Sequence, residues 1–90
     1  MLRRNGDLLD VLFLVLLLIY RNPGISRNKL SKRLGVSDQV IGRQVKTLRE
    51  KFKVEINSSP SQGYELAHWG IFDQGQFLEK IEAQLKSDQN

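Results

Sequence analysis

Near the start of this 90-residue chain, thirteen consecutive residues are apolar with a single exception. The run extends from Leu8 to Tyr20, and Asp10 is its one polar residue. A helix that is apolar all round has to be covered on more than one side. The run is shorter than the roughly 20 apolar residues that cross a bilayer, and no cleavage site of a signal peptide follows it. We therefore predict a buried helix over residues 7–20 and no membrane partner.

A second helix is predicted over residues 26–34. The sequence Asn22-Pro23-Gly24 breaks the first helix, and Ser26 can then cap the amides that begin the next one. Leu30 and Leu34 lie four residues apart, so they share one face of this helix and form its inner side.

The sequence Leu34-Gly35-Val36-Ser37 joins this helix to a third, predicted over residues 37–52. Gly35 supplies the left-handed residue that ends a helix, Val36 returns to the core, and Ser37 caps the next helix. A helical stripe of apolar residues follows, formed by Ile41, Val45, Leu48 and Phe52. Two helices joined in this way form a helix-turn-helix.

The period of the pattern changes from helix to strand beyond the third helix. Over residues 53–68, apolar and polar residues alternate on both sides of the turn sequence SSPSQG, which predicts a β-hairpin. A final amphipathic helix is predicted over residues 73–86, with Asp73 as its cap. The chain is thus expected to form one α+β domain, residues 1–90: a winged helix (a three-helix bundle with a two-stranded hairpin wing) plus a C-terminal helix.

Charge is concentrated in one part of the chain. Ten basic residues and two acidic ones lie between Arg21 and Lys53, so this segment has a net charge of +8 in a chain whose total is +4. Such a segment indicates binding to nucleic-acid phosphates, although a charge run is more often a solvated face. The chain has no cysteine, one histidine and no recognisable catalytic arrangement. We expect no enzymatic activity, no cofactor and no metal.

The exposed face of the third helix carries the candidate base-reading residues Gln39, Gly42, Arg43 and Lys46. Arginine pairs with the acceptors of guanine, and glutamine with the donor and acceptor of adenine. A glycine inside a helix costs about 1 kcal/mol, so Gly42 requires a reason. Either the helix backbone approaches DNA there, or the glycine relieves crowding against another helix.

Residues 8–66 resemble the winged helix-turn-helix domain at the N-terminus of biotin-operon repressors and of sugar-operon (DeoR-type) repressors. The resemblance rests on ISRNKLSKRLGVSDQVIGRQVKTLRE followed by a short strand, a loop and GYEL. It implies that the third helix enters the major groove, that the second helix begins beside the phosphates, and that the wing reaches a neighbouring groove.

The resemblance and the charge pattern together give the candidate DNA contacts. Base contacts fall on the third-helix residues named above, and phosphate contacts on Ser26, Arg27, Asn28, Lys29, Lys32, Ser37 and Arg49. The wing contacts fall on Ser58, Ser59, Ser61 and Gln62. Unlike the family pattern, the wing tip has no lysine or arginine, and Asp38 begins the reading helix. We expect Asp38 to favour the helix start through the helix dipole.

A homodimer is predicted through the first and last helices. Its expected interface residues are Leu9, Leu12, Phe13, Leu16, Phe77, Leu78, Ile81 and Leu85. Two copies would place their reading helices one turn of DNA apart, about 34 Å. Alternatively, the last helix only covers the first helix within its own domain.

The predicted function is sequence-specific binding of double-stranded DNA by a small dimeric transcriptional repressor. We expect it in the cytoplasm, encoded by a bacterium, an archaeon, a phage or a plasmid, and without a small-molecule effector domain. One alternative is a phage or plasmid accessory protein for excision, partition or replication control. Another is a winged helix that binds proteins.

Overall fold

The structure, a computed structural model, describes residues 10–89. The elements follow in the order α1 (Val11–Arg21), α2 (Arg27–Leu34), α3 (Asp38–Lys51), β1 (Glu55–Ser59), β2 (Gly63–His68) and α4 (Gln74–Gln89). Three helices, a two-stranded antiparallel hairpin and a further helix form an α+β winged helix, as predicted from the sequence. Among the described residues, no helix is both long and apolar enough to cross a membrane.

Side-chain caps fix where the helices begin. Ser26 accepts a hydrogen bond from the amide of Lys29, and Ser37 accepts one from the amide of Val40. Both caps agree with the predicted starts of α2 and α3. Asp10, by contrast, is not inside the first helix: its carboxylate caps α1, which therefore begins at Val11. The predicted start of this helix at residue 7 lies outside the described residues.

The turn between α2 and α3 follows the sequence prediction. Gly35 has the left-handed backbone conformation (φ 69°) that ends α2, and its amide donates to the carbonyl of Ser31. Val36 is half-buried and donates its amide to the same carbonyl. The turn therefore fixes the angle at which α3 leaves the domain core.

α1 lies at the centre of the core and contacts α2, α3 and β2. Its buried side is formed by Val15, Leu16, Leu17 and Ile19, and α3 contributes Ile41, Val45 and Leu48. Because the apolar side of α3 is buried on α1, its polar side faces away from the core. This packing determines which face of α3 is available to a ligand.

A third strand segment attaches the wing to the start of α2. Ile25 forms a β-bridge with Tyr64, whose amide donates to the carbonyl of Ile25 at 2.9 Å. The amide of Gly24 donates in turn to the carbonyl of Tyr64 at 2.8 Å. Gly63 lies so close that an added Cβ would be 2.3 Å from the carbonyl oxygen of Gly24. The predicted hairpin is therefore fixed to the rest of the domain at its second strand, which the sequence pattern did not indicate.

α4 packs on α1 within the same protomer. The rings of Phe13 and Phe77 lie 6.1 Å apart, and Arg21 forms an ion pair with Glu82 at 2.6 Å. Ile81 is fully buried. This packing matches the alternative in which the last helix covers the first.

The packing also corrects part of the predicted dimer interface. Leu16, Phe77 and Ile81 are 0%, 6% and 0% exposed in a single protomer, so a second copy cannot reach them without opening the core. The half-buried residues of that set are Leu12, Phe13, Leu78 and Leu85, and Leu9 lies outside the described residues. Only the half-buried residues have surface to offer a second copy.

Candidate DNA-binding surface

The outward face of α3 presents the predicted base-reading residues together. Gln39, Arg43 and Lys46 are exposed, and Gly42 between them is half-buried. The spacing places all four on one side of the helix, opposite the buried residues that pack on α1. The major groove of B-DNA is wide enough to admit an α-helix, so α3 can present this face to the edges of the bases.

The basic residues of this surface are not neutralised by the protein itself. Lys29, Lys32, Arg43 and Lys46 are all exposed. Among the side chains that the structure describes, residues 10–87, the ion pair between Arg21 and Glu82 is the one salt bridge, so none of these four cations has an acidic partner there. Their charge is therefore available to replace the counterions of DNA phosphates.

Arg27 reaches from the first position of α2 across to α3. Its Nε donates a hydrogen bond to the hydroxyl of Tyr64 at 3.1 Å. This bond, and to a smaller degree the charge of Asp38, raises the pKa of Arg27 above its ordinary value, so the guanidinium is charged at every physiological pH. The guanidinium carbon lies 3.4 Å from the position that a Cβ of Gly42 would occupy. The guanidinium thus lies beside α3 at Gly42, where an added Cβ would be in ordinary van der Waals contact with it.

Arg49 is engaged inside the protein. Its Nε and Nη2 donate to the carbonyl of Ile56 at 3.1 and 2.6 Å, and Nη2 also donates to the hydroxyl of Ser58 at 3.2 Å. The guanidinium therefore connects the last turn of α3 to the first strand of the wing. We assign Arg49 to positioning the wing, whereas the sequence predicted a phosphate contact.

The predicted serine contacts already accept hydrogen bonds from the protein. Ser26 and Ser37 cap their helices, Ser58 accepts from Arg49, and Ser59 accepts from the amide of Gln62. A hydroxyl that accepts can still donate, so each of these serines keeps an O–H for a phosphate oxygen. Asn28, Ser61 and Gln62 are exposed.

A polar groove separates the start of α2 from the wing. Its lining consists of Ser26, Arg27, Asn28, Asp38, Ser58, Ser59, Pro60, Gly63 and Tyr64. We call this cleft the α2–wing groove. It brings together residues that the sequence assigned separately to phosphate contacts and to the wing. Asp38 is its acidic member, and it lies in the first turn of α3, where the helix dipole favours a carboxylate.

The helix-turn-helix, the hairpin wing and the outward basic face together define a winged helix-turn-helix domain. The model of a helix-turn-helix (HTH) domain family matches residues 11–65, and the chain belongs to this family. The family occurs in biotin repressors and DeoR-type regulators. It indicates DNA binding and transcription regulation, and its domains are typically not enzymes. No curated protein and no solved structure matches the chain significantly.

Two residues of the surface were not identified correctly from the sequence. The sequence assigns no site role to Tyr64, and it predicts a phosphate contact for Arg49, whose guanidinium donates to the wing in the structure. The signal for Tyr64 was present but indirect: Gly42 indicated that some group approaches α3 closely, without indicating which one. No local signal connects Arg49 to Ile56, because that contact depends on how the chain turns after α3.

Proposed function

We propose that this protein is a sequence-specific double-stranded DNA-binding regulator, most simply a transcriptional repressor. The observation that supports the proposal is the set of exposed cations on α2 and α3 that have no acidic partner among the described side chains of residues 10–87. Cations without acidic partners are suited to bind the negative phosphates of duplex DNA. The exposed helix beside them is of a size that the major groove admits. Since the ligand would be cellular DNA, we place the protein in the cytoplasm.

In this proposal, α3 lies in the major groove. Arg43 donates to the acceptors of a guanine, and Gln39 pairs with an adenine. Lys46 contacts a base or an adjacent phosphate at the far end of the helix. Lys29 and Lys32 neutralise phosphates along the edge of the groove and carry no sequence information. The exposed wing residues Ser61 and Gln62 approach the neighbouring groove through hydroxyl and amide contacts.

We also propose that two copies act together. The apolar surface left over by the protomer includes Leu12, Phe13, Leu78 and Leu85, all half-buried, and Ile71, which is 67% exposed. Burying this surface against a second copy would remove apolar area from water. The dimer would read two half-sites about 34 Å apart on one face of the duplex.

The experiment is a fluorescence-anisotropy titration with random duplex DNA at two salt concentrations, with light scattering on the same sample. We expect a dimer whose affinity falls steeply with salt, because each neutralised phosphate adds about 0.9 to the slope. Dimer formation without DNA binding at low salt would refute the proposal and favour the protein-interaction alternative. If the protein does bind DNA, its preferred site can be selected from random sequences. A regulator should then prefer sites near promoters, whereas an accessory protein for excision, partition or replication control should prefer sites elsewhere.

Arg43→Ala and Lys32→Ala are the matched pair for this titration, since each removes one exposed cation. Once a preferred site has been selected, Arg43→Ala should relax the preference at one base pair and cost about 1–3 kcal/mol on that site. Lys32→Ala should weaken binding to every sequence alike. If both variants discriminate between sequences as the parent does, α3 does not read the bases as proposed.

A further inference from the structure

Tyr64 connects the domain core to the DNA-binding surface. Its side chain is 5% exposed, while its hydroxyl accepts the hydrogen bond from Nε of Arg27. The backbone of Tyr64 is held by two hydrogen bonds to Gly24 and Ile25, the residues that lead into α2. The hydroxyl therefore has a fixed position relative to the helix that carries Arg27.

The guanidinium of Arg27 is also confined on its other side. Both Nη1 and Nη2 lie 3.6 Å from the position that a Cβ of Gly42 would occupy. The group thus lies beside α3 at Gly42, where an added Cβ would make ordinary van der Waals contact with it. A long arginine side chain at a helix start would otherwise sample many rotamers, and ordering it on binding would lower the affinity.

The free end of the guanidinium faces a groove suited to a phosphate. Among the described side chains, residues 10–87, Arg27 donates a hydrogen bond through Nε, and Nη1 and Nη2 donate none, although the charge of Asp38 in the same groove acts on the guanidinium. The α2–wing groove around them supplies hydroxyl and amide donors from Ser26, Asn28 and Ser58. Two parallel N–H groups match two oxygens of one phosphodiester, in a bidentate pair that a lysine cannot form.

We propose that Tyr64 is a positioning residue that holds the Arg27 guanidinium, against Gly42, in the orientation that grips one phosphate of the DNA backbone. The inference rests on the proposed function and adds a residue that does not itself contact DNA. Arg27 would then act as a preformed contact that fixes how α3 enters the groove.

The test is a double-mutant cycle on random duplex DNA with Tyr64→Phe, Arg27→Ala and the double variant. Tyr64→Phe removes one hydroxyl and should weaken binding roughly three- to tenfold by releasing the arginine. It should leave the salt slope unchanged, whereas Arg27→Ala should lower the slope by about 0.9. In the Arg27→Ala background, Tyr64→Phe should have no further effect, because nothing is left to position.

Tyr20→Phe is the matched control. The hydroxyl of Tyr20 accepts a hydrogen bond from Gln74 at the start of α4, at 3.3 Å, and lies outside the α2–wing groove. Its removal should leave DNA binding unchanged. Arg27→Lys keeps the charge and loses the planar fork, so it should keep the parent salt slope and bind as weakly as Tyr64→Phe.

A readout without DNA separates this inference from the proposed function. In ¹H–¹⁵N NMR spectra, the Nε–H signal of Arg27 should be protected from exchange in the parent and lose that protection in Tyr64→Phe. An affinity of Tyr64→Phe for DNA equal to that of the parent would overturn the inference. The inference would also be overturned if Tyr64→Phe lowered the affinity equally in the parent and in Arg27→Ala, because the tyrosine would then have a purely structural role. If Arg27→Ala lowered the affinity for AT-rich and GC-rich duplexes by different factors, Arg27 would contact a base and not a phosphate.

If the parent binds no DNA, the proposed function fails and the phosphate contact fails with it. The Nε–H signal would then still show whether Tyr64 holds Arg27. Failure of the inference alone would instead appear as DNA binding by the parent that is indifferent to the Tyr64 hydroxyl. The two failures are therefore distinguishable.

Discussion

Replacing Arg49 with alanine should lower the stability of the domain, whereas the same substitution at Arg43 should not. Arg49 donates two hydrogen bonds to the carbonyl of Ile56 and one to Ser58. Arg43 is exposed, and its side chain forms no hydrogen bond or ion pair with the described side chains of residues 10–87. Both substitutions remove one positive charge from the same helix, so the difference between them isolates the hydrogen bonds.

The magnitude follows from the partial exposure of the Arg49 contacts. Hydrogen bonds to a charged group contribute about 1.5–3 kcal/mol each, but water can replace part of the interaction at an exposed side chain. We therefore expect a loss of about 1.5 kcal/mol for the whole group, at the lower end of the range for one such bond. For a domain of this size the loss corresponds to a fall in Tm of about 6–12 °C.

The assay is thermal unfolding followed by circular dichroism, at equal protein concentration for the parent and both variants. The free energy of unfolding of Arg43→Ala should lie within about 0.5 kcal/mol of that of the parent, as is usual for surface substitutions. Equal melting temperatures for the two variants would refute the reasoning, because the Arg49 guanidinium would then not hold the wing to α3. A Tm that depends on protein concentration would indicate that dimerisation contributes to the measured stability.

Three further substitutions test other parts of the account. Asp38→Asn should tighten binding to random duplex DNA, measured by anisotropy, because it removes the acidic member of the α2–wing groove; weaker binding would contradict this placement. Ile81→Ala should cost about 2–5 kcal/mol in chemical denaturation, because Ile81 is fully buried; a loss no larger than that of the surface substitution Arg43→Ala would contradict this burial. Gly63→Ala should destabilise the wing, seen as faster exchange of the Tyr64 amide, because its Cβ would meet the backbone of Gly24; parent-like exchange would argue against this close approach.

The sequence was sufficient to predict those features that depend on local chemistry. The caps at Ser26 and Ser37, the left-handed Gly35 and the apolar stripe of α3 each follow from residues a few positions apart. Together they predicted α2, the turn, α3 and the face of α3 that points outward. The alternation over residues 53–68 likewise predicted the hairpin, in which Ile56 and Tyr64 are buried.

Features that depend on contacts distant in sequence were missed or misread. Asp10 interrupts an apolar run, and the sequence does not show whether such an acid lies within the helix or caps it. The Arg27–Tyr64 bond joins residues 37 positions apart, and no periodicity relates them. The sequence allows two positions for α4, one on α1 of the same protomer and one on a second copy. An amphipathic helix has the same pattern of apolar residues in both cases.

We expect the outward face of α3, together with the start of α2 and the wing, to contact duplex DNA. The most direct test is an amide ¹H–¹⁵N NMR titration of the protein with a duplex that carries its selected site. We predict that the largest shift changes map to Arg27, Gln39, Arg43 and Lys46 and to the wing loop at Ser61 and Gln62. Changes confined to α1 and α4, or none at a DNA concentration that saturates the anisotropy signal, would contradict the account.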